Sequence, residues 1–223
     1  MSKKQVVPYQ DKKSSKKTQV RQMFDGISPQ YDLMNRIISG GIDVKWRKNV
    51  VALLLPKKPK KILDVATGTG DLAVALAQTQ ATEIIGIDIS EGMLDIGKKK
   101  VKKSQWHKNI KMEIGDSENI DYPADYFDAV TVAFGVRNFE NLDKGLLEIL
   151  RVLRPGGDLI ILETAVPQKF LLRQFYRLLH PFYHARGRLG FFQRQICLSI
   201  FIGLCKCFSF WRSFQQYFSK KWV

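Results

Sequence analysis

The sequence predicts an α/β fold on a mostly parallel, Rossmann-like sheet, and three observations carry that expectation. Ile62, Leu63, Val65 and Ala66 form a short apolar run of the kind found in a strand buried on both faces. The run breaks at Thr67-Gly68-Thr69-Gly70, and Asp71–Leu76 then reads as a helix start. Further strand-like segments alternate with helix-length segments as far as Leu162. Crossovers of that length join parallel strands with right-handed connections.

Taken in order, residues 1–18 are lysine-rich without apolar periodicity and are expected to be disordered. Residues 19–56 should form helices. Val20, Met23, Phe24 and Ile27 follow helical spacing until Ser28-Pro29 breaks it. Tyr31–Ile38 reads as a second helix ending at Gly40-Gly41. Asp43 caps a third, whose apolar face is Trp46, Val50, Leu53 and Leu54. Lying ahead of the first strand, these helices either cover a ligand site as an N-terminal helical lid or pack on one face of the sheet. The core, residues 57–167, should place strands at 61–66, 83–88, near 110–114, 127–134 and 158–162, with helices over 91–103 and 142–153 between them. Arg154-Pro155-Gly156-Gly157 reads as a turn feeding the fifth strand. Residues 168–223 form an atypical C-terminal tail.

Ligands bind at the carboxyl ends of such strands. Gly68 and Gly70 allow close backbone approach, and with Ala73 they satisfy a dinucleotide fingerprint that is weak alone. Asp64 decides between ligands. A carboxylate just ahead of the loop repels a pyrophosphate but attracts the sulfonium and ammonium of S-adenosylmethionine. The expectation is therefore a class I S-adenosylmethionine-dependent methyltransferase. Asp88, 20 residues beyond Gly68, stands where an acidic side chain accepts from ribose hydroxyls; its alternative role is to cap the following helix. Asp116 ends the third strand, where it accepts from an adenine amino group or simply forms a turn.

Composition bounds the rest. The 223 residues carry a net charge of +15, a balance that points to nucleic acid or an anionic membrane surface. The charge is uneven, however. No Asp or Glu follows Glu163, and all three cysteines lie in the tail. Cys205-Lys206-Cys207 lacks a zinc spacing, so no metal is expected. No apolar run reaches the roughly 18 residues of a membrane span, and no secretory signal is visible. A cytoplasmic location follows by default.

Three blocks pass from class to family. Phe24–Asn35, Asp64–Asp71 and Val132–Phe139 together resemble the menaquinone and ubiquinone C-methyltransferases, over about Gln22 to Pro167. The resemblance implies methyl transfer from S-adenosylmethionine to a ring carbon of a polyprenylated quinol, with demethylmenaquinol the closer match and the ubiquinone precursor the alternative. It implies cofactor contacts at Thr69, Asp88, Asp116 and Ser117. Arg137, just past the fourth strand, is expected to stabilise the quinol oxyanion or orient a water, because a guanidinium is no ordinary base. Asn138 assists. The alternative for Arg137 is an arginine that pins its own loop.

Two rivals remain. A nucleic-acid methyltransferase fits the basic charge, but Ala133-Phe134-Gly135-Val136 stands where amino-methylating enzymes carry Asn/Asp-Pro-Pro-aromatic. A non-enzymatic membrane-associated module fits the apolar, basic tail and leaves the cofactor constellation unused. From about Leu178 the tail departs from the family pattern as a shifted reading frame would. Trp211–Tyr217 back-translates one base out of frame to Gly-Glu-Ala-Phe-Asn-Asn, which resembles a family helix. A divergent tail or a membrane-docking helix is the alternative. Peripheral contact with the inner face of the cell membrane is expected for an enzyme of polyprenyl quinols.

Overall fold

The computed structural model describes residues 8–9 and 14–163. The expectations for the first residues of the chain and for the tail, its frameshift included, lie outside them.

The strands are β1 (Lys61–Val65), β2 (Glu83–Asp88), β3 (Ile110–Ile114), β4 (Phe127–Ala133) and β5 (Leu153–Leu162). All pair in parallel, in the order β3-β2-β1-β4-β5. Side chains alternate between the faces of a strand, and the register keeps like with like. Ile62 lies beside Ile84 and Ala129, Leu63 beside Ile85 and Val130. The first row joins a cluster with Val50, Val51 and Leu54 of α3 (Ile42–Leu54) and Leu72 and Leu76 of α4 (Asp71–Leu76). The second row packs with Phe127 and with Ile149 and Val152 of α6 (Leu142–Val152). Burial of both faces explains why these strands read as unbroken apolar runs. In α3, Val51 is buried where Leu53 was expected, and Leu53 faces outward.

Asp43 does not cap α3: Gly41 is the N-cap and Asp43 sits buried inside the first turn, held by Ser39 and Arg47. Two larger boundaries also differ from expectation. Helix α1 (Lys16–Ile27) begins inside the lysine run, because the Ser15 hydroxyl accepts from the Thr18 N–H and caps it. Strand β5 begins at Leu153, opposite Phe127, and resumes at Asp158, opposite Ala129. Arg154–Gly157 is thus an insertion within the strand and not a turn ahead of it. Arg154 Nη1 reaches Asp128 Oδ1 at 2.8 Å, while Asp128 Oδ2 accepts the N–H groups of Lys60 and Lys61. That carboxylate ties three strand starts together.

The remaining helices are α2 (Tyr31–Ser39) and α5 (Glu91–Lys103). Among the described residues, no helix is long and apolar enough to cross a membrane.

Candidate active site

The sheet order places β1 beside β4, so the chain leaves these neighbours in opposite directions and opens a crevice at their carboxyl ends. Ala66 after β1 and Phe134 after β4 both hold positive φ, 55° and 58°. Non-glycine residues rarely do so, and such conformations concentrate at functional sites. Both line the cavity that fills the crevice.

The glycine loop follows. Gly68 and Gly70 have φ of 57° and 75°, conformations open chiefly to glycine. The Gly68 N–H donates to Asp88 Oδ2 at 2.8 Å, and the Ser90 N–H donates to Asp88 Oδ1 at 2.9 Å. Asp88 therefore holds the loop and the entrance to α5 while facing the cavity. Capping of α5 itself falls to Ser90, whose hydroxyl accepts from Met93 N. Burial pushes the Asp88 pKa up despite those backbone bonds.

Of the other expected cofactor residues, Asp116 and Ser117 line the cavity, as does Gly68. Asp64, Thr69 and Gly70 do not. Asp64 is 1% exposed and lies beneath the loop, where Oδ2 accepts from Thr67 Oγ1 at 2.6 Å and Oδ1 from Thr131 Oγ1 at 2.7 Å. Burial raises its pKa to about 6, the two hydroxyls opposing the shift. Its charge reaches the crevice only as a field. Thr69 is turned away, donating to Asp32 Oδ1 of α2 at 2.6 Å and accepting from Lys100 Nζ at 3.0 Å. Gly70 caps α4.

At the β4 exit, Asn138 reaches the cavity and Arg137 does not. Arg137 Nε donates to Phe134 O at 3.1 Å, and Nη2 lies 3.3 Å from Glu163 Oε1. These contacts fit the alternative of an arginine that pins its own loop, and they leave open its expected role toward a quinol oxyanion or a water. The guanidinium still acts at a distance, since its charge favours ionisation of Tyr31. Tyr31 lines the cavity and was given no site role from the sequence. Its signal was position alone, as first residue of α2 just after the Ser28–Gln30 turn. Burial pushes its pKa up, against a hydrogen bond with Asn35 and the charge of Arg137, and keeps the phenol neutral.

Helix α1 forms one wall through Lys17, Val20 and Phe24. Lys17 Nζ lies 2.5 Å from Asp116 Oδ2, a contact that raises the lysine pKa. Lys16 Nζ donates to the carbonyls of Arg137 at 3.0 Å and Phe139 at 2.6 Å. Near the other end of α1, Asp25 Oδ1 accepts from Ser90 Oγ at 2.6 Å and Gly92 N at 3.1 Å. Glu118, 5% exposed, closes the site from beneath: its Oε1 accepts from the N–H groups of Glu140 and Asn141, both at 2.8 Å.

The lining combines acidic acceptors (Asp88 and Asp116), a cation (Lys17), neutral polar groups (Tyr31 and Asn138) and apolar walls. Known proteins resemble the chain that builds it. A Bacteroides fragilis protein named demethylmenaquinone methyltransferase is 46% identical over 172 residues, 77% of this chain and 70% of that one. A Geobacter sulfurreducens protein named ubiquinone/menaquinone biosynthesis C-methyltransferase is 44% identical over 165 residues, 73% of this chain and 64% of its own length. A solved Methanococcus maripaludis chain, named as S-adenosyl-L-methionine-dependent methyltransferase, shares the fold with a TM-score of 0.53 at 19% identity, covering 88% of this chain and 83% of that one. The parallel sheet is thus that of the class I, Rossmann-like methyltransferases. The model of the ubiE/COQ5 methyltransferase family matches residues 12–190, beyond both the Pro167 limit of the sequence blocks and Leu178, and the chain belongs to that family.

Proposed function

We propose that this protein transfers a methyl group from S-adenosylmethionine to a ring carbon of demethylmenaquinol, completing menaquinol. The observation that carries the reading is a 46% identical relative of that name, joined to a cavity lined by carboxylates, neutral polar groups and aromatic side chains.

The donor set suits the cofactor. Each Asp88 oxygen accepts one backbone N–H and the carboxylate lines the cavity, so its remaining lone pairs can accept from ribose hydroxyls. Asp116 and Ser117 offer acceptors for an adenine amino group. Gly68 allows close approach, while Asp64 supplies negative potential from beneath the loop toward a cationic ligand. Thr69 and Gly70 act on the cofactor by fixing the loop.

When bound, S-adenosylmethionine supplies an activated methyl group, so the protein's task is alignment and exclusion of water. A quinol carbon becomes nucleophilic as its hydroxyl loses a proton. Asn138 and the neutral Tyr31 phenol are placed to hold that oxygen, and Arg137 adds positive potential from behind its loop. Phe24, Phe134 and Phe139 line the cavity and keep water from the ring. A polyprenylated substrate is lipid-dissolved, so we place the enzyme in peripheral contact with a membrane.

Calorimetric binding of S-adenosylmethionine, followed by mass-spectrometric detection of menaquinol formed from demethylmenaquinol, tests the reading. Cofactor binding without product sinks the substrate assignment. The name of the Geobacter relative covers ubiquinone biosynthesis too, so the benzoquinol precursor is the second substrate to offer.

A further inference from the structure

Exposed large apolar side chains gather on α2 and α3, with Leu55 following α3 and only Ile114 and Leu147 elsewhere among the described residues. Leu33 and Ile37, one helical turn apart on α2, are each 64% exposed. Ile42 and Leu53 on α3 are 51% and 62% exposed. Apart from the half-buried Tyr31 that turns into the cavity, helix α2 sinks little of itself into the protein, yet it carries Leu33, Met34, Ile37 and Ile38. Cations share the outward positions: Arg36 on α2, Lys45 and Lys48 on α3. From Leu33 to Lys60 the only acid is Asp43. It is buried, accepts from Ser39 Oγ and is paired with Arg47 and, at 3.7 Å, with Arg36, which leaves Lys45 and Lys48 as the cations these two helices offer outward. Every exposed charge on this stretch is therefore positive.

Exposed apolar side chains interleaved with Lys and Arg, without acids, form the surface that settles into the headgroup region of an anionic bilayer. A protein partner with an apolar face would leave these like charges unanswered, whereas anionic headgroups answer them. The position suits the chemistry too. Tyr31, the first residue of α2, lines the cavity, so the apolar stripe starts at the site's edge. We propose that the outward faces of α2 and α3 dock the enzyme on an anionic lipid surface and lead the isoprenoid tail of the substrate toward the cavity. The inference rests on the quinol-methylating reading, since only a tailed substrate needs such a route.

Flotation of the full-length chain on phosphatidylcholine vesicles with and without phosphatidylglycerol, at low and high salt, tests it. Binding should require phosphatidylglycerol and weaken with salt. The Leu33→Asp/Ile37→Asp variant should lose at least about tenfold in vesicle affinity. Lys45→Glu/Lys48→Glu should lose the phosphatidylglycerol dependence. Both should keep wild-type affinity for S-adenosylmethionine and wild-type turnover of a naphthoquinol without a tail, which shows that they fold. The proposal is overturned by wild-type flotation of either variant or by a wild type that ignores anionic vesicles. It is equally overturned by a wild-type dimer that Leu33→Asp/Ile37→Asp dissolves, since a second copy is then the occupant. Failure of the functional reading registers separately, as absent methylation of the tail-less quinol by a wild type that floats.

Discussion

Asp64 is a carboxylate that the fold would rather hold neutral. Its ordinary pKa of 3.8 rises to about 6 because burial removes water from the ion, and two threonine hydroxyls return only part of that hydration. At about 1.4 kcal/mol per pH unit, ionised Asp64 costs the folded state about 3 kcal/mol at pH 7. The sign follows from the raised value. The fold favours the protonated form, so Asp64 contributes most stability below pH 3.8 and loses it as pH rises through about 6. Asp64→Asn is nearly isosteric and cannot ionise. In urea titrations it should match the wild type near pH 4 and exceed it by about 3 kcal/mol at pH 8. With a typical urea slope, that moves the midpoint by roughly 1–3 M. Calorimetry on the same variant should show weaker S-adenosylmethionine binding, since the negative potential beneath the loop is gone. A variant no more stable than wild type at pH 8, or one with an equal gap at pH 4 and pH 8, would refute the reasoning.

Four further outcomes are expected. Asp88→Ala should weaken S-adenosylmethionine binding by about 1–3 kcal/mol and Asp88→Asn by less; unchanged calorimetry in Asp88→Ala removes Asp88 from the cofactor contacts. Lys17→Gln frees Asp116 for the ligand, so cofactor affinity should rise severalfold at low salt and converge with wild type at high salt; a fall in affinity would mean that Lys17 holds the cofactor itself. Glu118→Ala should cost about 1–3 kcal/mol of stability by stranding the Glu140 and Asn141 N–H groups, and Glu118→Gln should restore much of it through its amide oxygen; equal losses in the two variants would contradict the capping role. Arg137→Ala should lower quinol turnover by about 10²-fold with cofactor affinity unchanged, and normal turnover would leave Arg137 with its loop alone.

How much of this was legible in the sequence depends on how far apart the partners lie. The strands announced themselves because double-sided burial demands unbroken apolar runs, and Gly68 and Asp88 because a loop glycine and the carboxylate that accepts its N–H keep a fixed spacing along one βαβ unit. Asp64 was seen, but its surroundings were not: Thr131 lies 67 residues away, on another strand. Lys16 and Lys17 looked like part of a solvated tail. Their partners, Arg137, Phe139 and Asp116, are about a hundred residues distant, and no local pattern encodes them. Arg154–Gly157 carried an ordinary turn signature; only the pairing of Leu153 with Phe127 places it within β5. Arg137 stayed open between two roles for a related reason. An arginine beside a site and one holding a loop look alike until its nitrogens are seen on Phe134 and Glu163.

Helix α1 is fastened across the crevice at its first turn, by Lys16 and Lys17, and again by Asp25 beyond its middle, with Val20 and Phe24 on the cavity wall between. A small molecule in this cavity is held on one side by a helix tethered at two points, and release of either tether widens its way out. Its residence time then depends on how often α1 opens, an event of the microsecond-to-millisecond class, as well as on its own hydrogen bonds. Spent and fresh cofactor, which differ by one methyl group and one charge, share the same door. On and off rates measured by stopped flow, rather than equilibrium constants, are where the contribution of α1 is to be read.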